Sequence, residues 1–258
     1  MELQRNWKRP QKIEAENIVF KYYEKYAPYP TEYQGNIHVH CKCIYACSEV
    51  IRFKKKNGEE AECERLSLAF LHEDGKHFFD TQIWGARKRS DGTWGDNPEE
   101  LQDFLYLCET QLPHSTEQSV TRNSDYGEQT FYPLIAGQIF SLVIAKTGER
   151  FYKGNTYDQN KCNIFTDNGF SALELQDGVK VPVAWKTSAN YLHKKYCEFK
   201  DIAYQPKYNL NKGNAAPVVN TTATTPTTAP VNQTVNSVNN TKAAAAPVDS
   251  FADSDIPF

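Results

Sequence analysis

Between Asn211 and Val248 the chain holds no aromatic residue, no acid and only two lysines. Asn, Thr, Ala, Pro and Val make up most of it. Such a stretch buries too little apolar surface to offset the entropy of ordering it, so it is expected to stay disordered. Whatever folds must lie upstream. That part is well supplied, because most of the 15 Tyr, 14 Phe and 4 Trp precede the break. A chain of this length needs no disulfide staples to build a core. The reading is a folded core over residues 1–208, a linker over 209–248 and a terminal peptide over 249–258. As a flexible coil, the stretch from Asn211 to Val248 spans on the order of 35 Å, which makes it a tether.

Within the core, Ile37, Val39, Cys41, Cys43 and Tyr45 alternate with His38, His40, Lys42 and Ile44, which is strand periodicity. Glu49 to Phe53 continues it, and Lys54-Lys55-Lys56-Asn57-Gly58 carries the Asn-Gly signal of a hairpin. Arg65 to Leu71 and His77 to Trp84 read as further strands around a turn at Glu73-Asp74-Gly75-Lys76. Residues 37–84 are therefore expected to form an antiparallel meander. Asn97-Pro98-Glu99-Glu100 opens a helix with Leu101, Phe104, Leu105 and Cys108 on one face. Residues 113–130 read as polar loop, 138–146 and 161–165 as strands, and 187–199 as a last helix. The expected class is mainly β. Strands, then a helix, then strands is the order of an OB-like barrel, here with additional helices and a disordered C-terminal tail.

The charge balance, 29 Lys+Arg against 32 Asp+Glu for a net −3, excludes a binder that is basic all over. It leaves room for one basic face, because the local field is what an anionic ligand meets. The start of the chain has basic residues but no apolar signal core, and the near-apolar run from Tyr132 to Ala145 is too short to span a membrane. The expectation is a soluble, cytoplasmic protein. The Asn-x-Thr acceptors at Asn220 and Asn232 are then chance matches in an Asn/Thr-rich stretch. The 7 Cys are an odd number without a C-x-x-C pair. They read as small core residues in a reducing compartment, with Cys41 and Cys43 on one face.

Two basic segments carry aromatic neighbours. Arg52-Phe53-Lys54-Lys55-Lys56 sits at the first hairpin, and Trp84-Gly85-Ala86-Arg87-Lys88-Arg89 leaves a strand with Trp94 just beyond. Cations that track phosphates beside rings that stack on bases are what a single-stranded nucleic acid requires. Tyr152 and Lys153 form a smaller pair of the same kind. The bland alternative is a solvated hairpin tip and an ordinary loop. The tyrosines Tyr22, Tyr23, Tyr26, Tyr29 and Tyr33 read as packing residues. His72-Glu73-Asp74 and His77 lie on a turn, not at the helical spacing a metal hydrolase needs. No phosphate-binding Gly-rich loop and no nucleophile elbow is present, so neither an enzyme nor a cofactor is expected.

The chain closes with Asp253-Ser254-Asp255-Ile256-Pro257-Phe258. A terminal Phe beside its own carboxylate suits capture by an apolar pocket with an arginine, and Asp253 and Asp255 add attraction to a basic rim. This ending resembles the acidic tip of bacterial and phage single-stranded DNA-binding proteins, where acids followed by Ile-Pro-Phe lie behind a disordered linker. Ser254 interrupts the longer acidic run usual in that family, and the likeness covers only the tip and its tether. It implies a protein of the bacterial cytoplasm that coats single-stranded DNA in replication, recombination and repair. It further implies recruitment of DNA-processing proteins through Asp253, Asp255, Ile256, Pro257 and Phe258. Two rivals stand beside it. One is an interaction protein whose borrowed tail occupies the same partners while its core binds no DNA. The other is a nuclease, which needs a carboxylate cluster the sequence does not offer. Whether the chain forms a homo-oligomer is left open.

Overall fold

The computed structural model describes residues 21–55, 58–124, 127–152 and 154–210. Lys56, Lys153, linker residues 211–248 and the tip residues Asp253, Asp255, Ile256, Pro257 and Phe258 lie outside the described residues. The chain is mainly β, as its alternation predicts. In order run α1 (Tyr22–Lys25), β1 (Ala27–Pro28), β2 (Gln34–Lys54), β3 (Glu60–Leu71), β4 (His77–Arg87) and α2 (Glu99–Gln111). They are followed by β5 (Val120–Ser124), β6 (Gly127–Phe131), β7 (Ile139–Tyr152), β8 (Asn155–Thr166), α3 (Ala172–Gln176) and α4 (Ala184–Lys200).

The predicted meander is β2, β3 and β4, joined by antiparallel ladders. One 21-residue strand, β2, organises the rest. Its first half pairs with β7, from Gln34 opposite Ala145 to Lys42 opposite Ile139. Its second half pairs with β3 and, on the other edge, with β6. The change of partner needs a bend, and register shifts between His38 and Cys41 and between Cys43 and Tyr45 supply it. His40 takes a positive φ of 53° there. Asp167 holds it, accepting from the His40 backbone N–H at 3.1 Å.

The sheet follows the path β1-β4-β3-β2-β6-β5, with β7 and β8 branching from β2. Among the described residues no ladder joins β4 to β8, so the sheet is open. The two strands still approach each other.

The core fills the space between the two branches. Leu66, Leu68 and Phe70 of β3, Phe79 and Ile83 of β4, and Phe140, Leu142 and Ile144 of β7 are buried there with Cys41 and Cys43. Helix α2 starts after Pro98 with two acids in its first turn. It inserts the predicted face: Leu101, Phe104, Leu105 and Cys108 are all buried, and Phe104 and Phe70 each stand 5.7 Å from the Phe140 ring. Helix α4 packs Ala189, Leu192, Tyr196 and Cys197 on Val143, Ala145 and Phe165. That approach requires Gly35, because a Cβ there would lie 2.5 Å from the His193 backbone nitrogen and its φ is +76°. All seven cysteines are buried. Tyr22 and Tyr26 pack with Tyr45 on Ile44, Ala69 and Phe78, while Tyr29 and Tyr33 lie against the main core.

One sequence reading is corrected. The polar loop expected over 113–130 contains the antiparallel hairpin β5–β6, with Arg122 opposite Gln129. Its residues are mostly exposed on both faces, so no apolar alternation marks them. Backbone ladder bonds on the edge of β2 make the strand, not side-chain burial.

Candidate nucleic-acid interface

Strand β3 decides which residues meet. Leu66, Leu68 and Phe70 face the core, so Arg65, Ser67 and Ala69 take the other face, where Ala69 is covered by the Tyr22–Tyr26 cluster. Partners directly opposite in an antiparallel ladder share a face. Arg65 lies opposite Trp84 on β4 and Glu49 on β2. Glu49 lies opposite Gln129 on β6, which lies opposite Arg122 on β5. The result is one transverse row over five strands, Arg122–Gln129–Glu49–Arg65–Trp84. At the usual spacing between strands it is about 19 Å long.

Rings pack beneath and beside this row, Phe131 buried and Tyr45 half-buried. The Arg122 guanidinium sits 5.0 Å from the centre of the Phe131 ring. Tyr45 meets Phe131 edge-on at 5.6 Å, and Tyr22 lies 5.2 Å from Tyr45. Burial pushes the Tyr45 hydroxyl pKa well up. Arg65 donates to Glu49 Oε1 at 2.5 Å and to Gln82 Oε1 at 3.4 Å. Its Nε is buried without a hydrogen-bond partner. Arg65, Arg122, Tyr45 and Phe131 were missed by reading the sequence. For Arg65 the signal was present, because it alternates with the apolar positions of a recognised strand. For Arg122 there was none, since its strand was not legible.

The two basic segments do come together, at the end of the sheet where β2 and β4 finish. Arg52 lies opposite Glu62, and Phe53 opposite Ala61. Arg87 lies opposite Cys63, and Lys88 donates its backbone N–H to the Glu62 carbonyl at 2.9 Å. Beyond Arg87 the chain turns tightly. Arg89 N–H bonds the Thr93 carbonyl at 2.6 Å, and Asp91 caps the turn through Thr93. The turn brings Trp94 across from Lys88. Phe53, Trp84 and Trp94 are all half-buried, while Lys54, Lys55, Lys88 and Arg89 are exposed.

Acids interleave with these cations. Glu62 receives Arg52 at 2.9 Å and Lys88 at 2.8 Å. Glu59 pairs with Lys55 at 3.2 Å, and Asp96 with Arg89 at 3.8 Å. The surface is a lattice of opposite charges with rings among them, not a bare basic patch.

Tyr152 belongs elsewhere. It ends β7, its backbone paired with Asn155 on a hairpin that grows from the opposite end of β2. That hairpin carries Phe151, 73 % exposed, and Tyr157, which lies opposite Arg150. Lys146 anchors its base between Glu149 and Asp158, at 2.5 and 2.7 Å.

The histidine turn is a local device. His77 Nδ1 bonds Asp74 Oδ2 at 2.7 Å, and His72 Nδ1 accepts from the Asp74 backbone N–H at 3.3 Å. The bonds from His77 and the backbone hold the Asp74 carboxyl well below the usual range. Among the described residues no group of three His, Cys, Asp or Glu is placed to hold a metal ion, and no helix is long and apolar enough to cross a membrane. Compared with known proteins, the chain matches no family model, no curated protein and no solved structure.

Proposed function

We propose that this protein binds single-stranded DNA on the outer face of β3 and β4, and recruits DNA-processing partners through its C-terminal tip. The observation that carries the reading is the transverse row that runs from Arg122 through Arg65 to Trp84 at its β4 end, extended by the cation-rich sheet end. If β2, β3, β4, β7 and β8 are the five strands of an OB-like barrel, α2 stands between the third and fourth, where that fold carries its helix. The β3–β4 face is then the second-and-third-strand face such barrels use for oligonucleotides, with the β2–β3 hairpin at its end. Stacking and phosphate contact on such a face give binding with little sequence preference and strong salt dependence. The net charge of −3 is no obstacle to a local site. The tip Asp253, Asp255, Ile256, Pro257 and Phe258 supports the second half of the proposal by its likeness to the tips of bacterial single-stranded DNA-binding proteins. The setting proposed is the bacterial cytoplasm, in replication, recombination and repair.

The ion pairs favour one rival, a protein whose core binds no DNA and whose tail occupies the partners of such proteins. Titration of the full chain with oligo(dT), duplex DNA and RNA at two salt concentrations separates the two. Salt-dependent binding of oligo(dT) over duplex supports the first reading. No binding at the lower salt leaves the tail-mimic.

A further inference from the structure

The Glu62 carboxylate joins two elements that the sequence keeps far apart. Its Oε1 accepts from Arg52 Nε at 2.9 Å, and its Oε2 from Lys88 Nζ at 2.8 Å. Arg52 comes from the end of β2 and Lys88 from the segment leaving β4. The Arg52 side chain is 83 % exposed and that of Glu62 only 22 %. The cations therefore reach outward over an anion seated beneath them. Lys88 and then Arg52 pull the Glu62 carboxyl below its ordinary value, so it stays ionised near neutrality and is not released by protonation.

A carboxylate and a phosphodiester present the same charged oxygens to guanidinium and ammonium donors. Two cations converging on one anion make a cradle of the right chemistry for a backbone phosphate. We propose that Arg52 and Lys88 form a phosphodiester subsite, and that Glu62 occupies it in the free protein as an internal stand-in for phosphate. This rests on the DNA-binding reading above. It adds that Glu62 sets the affinity and the salt dependence of strand binding. While Glu62 holds the pair, the three groups offer the strand one net positive charge in place of two and release fewer of its counterions. Without the Glu62 charge they act in full.

The test is Glu62→Gln in the full chain, titrated with oligo(dT) over a range of salt. Gln keeps the shape and one acceptor but removes the charge. Affinity should rise roughly threefold to tenfold at ~0.1 M salt, and the log–log salt slope should steepen by about 0.7 to 1.4. Glu117→Gln removes the same charge from a site paired with His114, and should change neither. A second arm guards against a loosened hairpin. Beside E62Q, removing Arg52 and Lys88 together (R52A/K88A) should erase the gain in affinity and in slope. A wild-type chain that binds no strand overturns the DNA-binding reading and this subsite with it. A wild-type chain that binds, with E62Q equal to it or weaker, or with the E62Q gain surviving R52A/K88A, overturns the subsite alone.

Discussion

Replacing Trp84 by alanine asks whether the outer row is a platform or only a wall. Trp84 follows Ile83, which is buried in the core, and points to the other side of β4, opposite Arg65. A base stacked on that ring contributes about 1–3 kcal/mol, so Trp84→Ala should weaken oligo(dT) binding by about fivefold to 150-fold. The stability cost should be far smaller than for a core ring. A half-buried outward side chain costs about 1 kcal/mol when truncated, against about 3–5 kcal/mol for a fully buried aromatic. Fluorescence anisotropy at fixed salt reads the first number and urea denaturation the second. Trp84→Phe, which keeps a stacking face, should recover most of the affinity. The reasoning fails if Trp84→Ala binds as tightly as a wild-type chain that does bind. It fails equally if the stability loss reaches the core figure, because the ring is then a packing residue.

Other expectations follow from the same geometry. Phe140→Ala, at a ring wedged between Phe70 and Phe104 with no exposure, should lower unfolding free energy by about 3–5 kcal/mol, with a midpoint shift and unchanged slope in urea. His38 is buried among Tyr29, His72 and Phe79, and burial lowers its pKa from 6.5 to about 4. The unfolded chain therefore takes up a proton that the folded one refuses. Stability should fall as pH drops from about 6.5 towards 4, by up to about 3 kcal/mol from this residue, and His38→Gln should flatten that part of a stability–pH curve. Deleting Phe258 should abolish capture of a helicase, primase or recombination factor that binds such tips while leaving oligo(dT) affinity unchanged. Equal capture by both chains refutes the role given to the tip.

The local period of apolar residues carried far. The meander of β2, β3 and β4, the apolar face of α2 and the inward-facing Cys41 and Cys43 are short-range patterns, set by which side of a strand or helix must leave water. The hairpin β5–β6 left no such trace, because an edge hairpin wet on both faces is held by backbone bonds to a neighbour more than seventy residues away. Register had the same effect on the site. The cations at 52–55 and 87–89 were visible as cations. That Glu62 binds Arg52 and Lys88 together, and that Arg65 stands between Trp84 and Glu49, depends on which residues face each other across the β2–β3 and β3–β4 ladders. The bulges in β2 and β3 shift that pairing. Side-chain identity belongs to the chain, whereas the neighbour that neutralises a charge or shares a face is chosen only when the strands align.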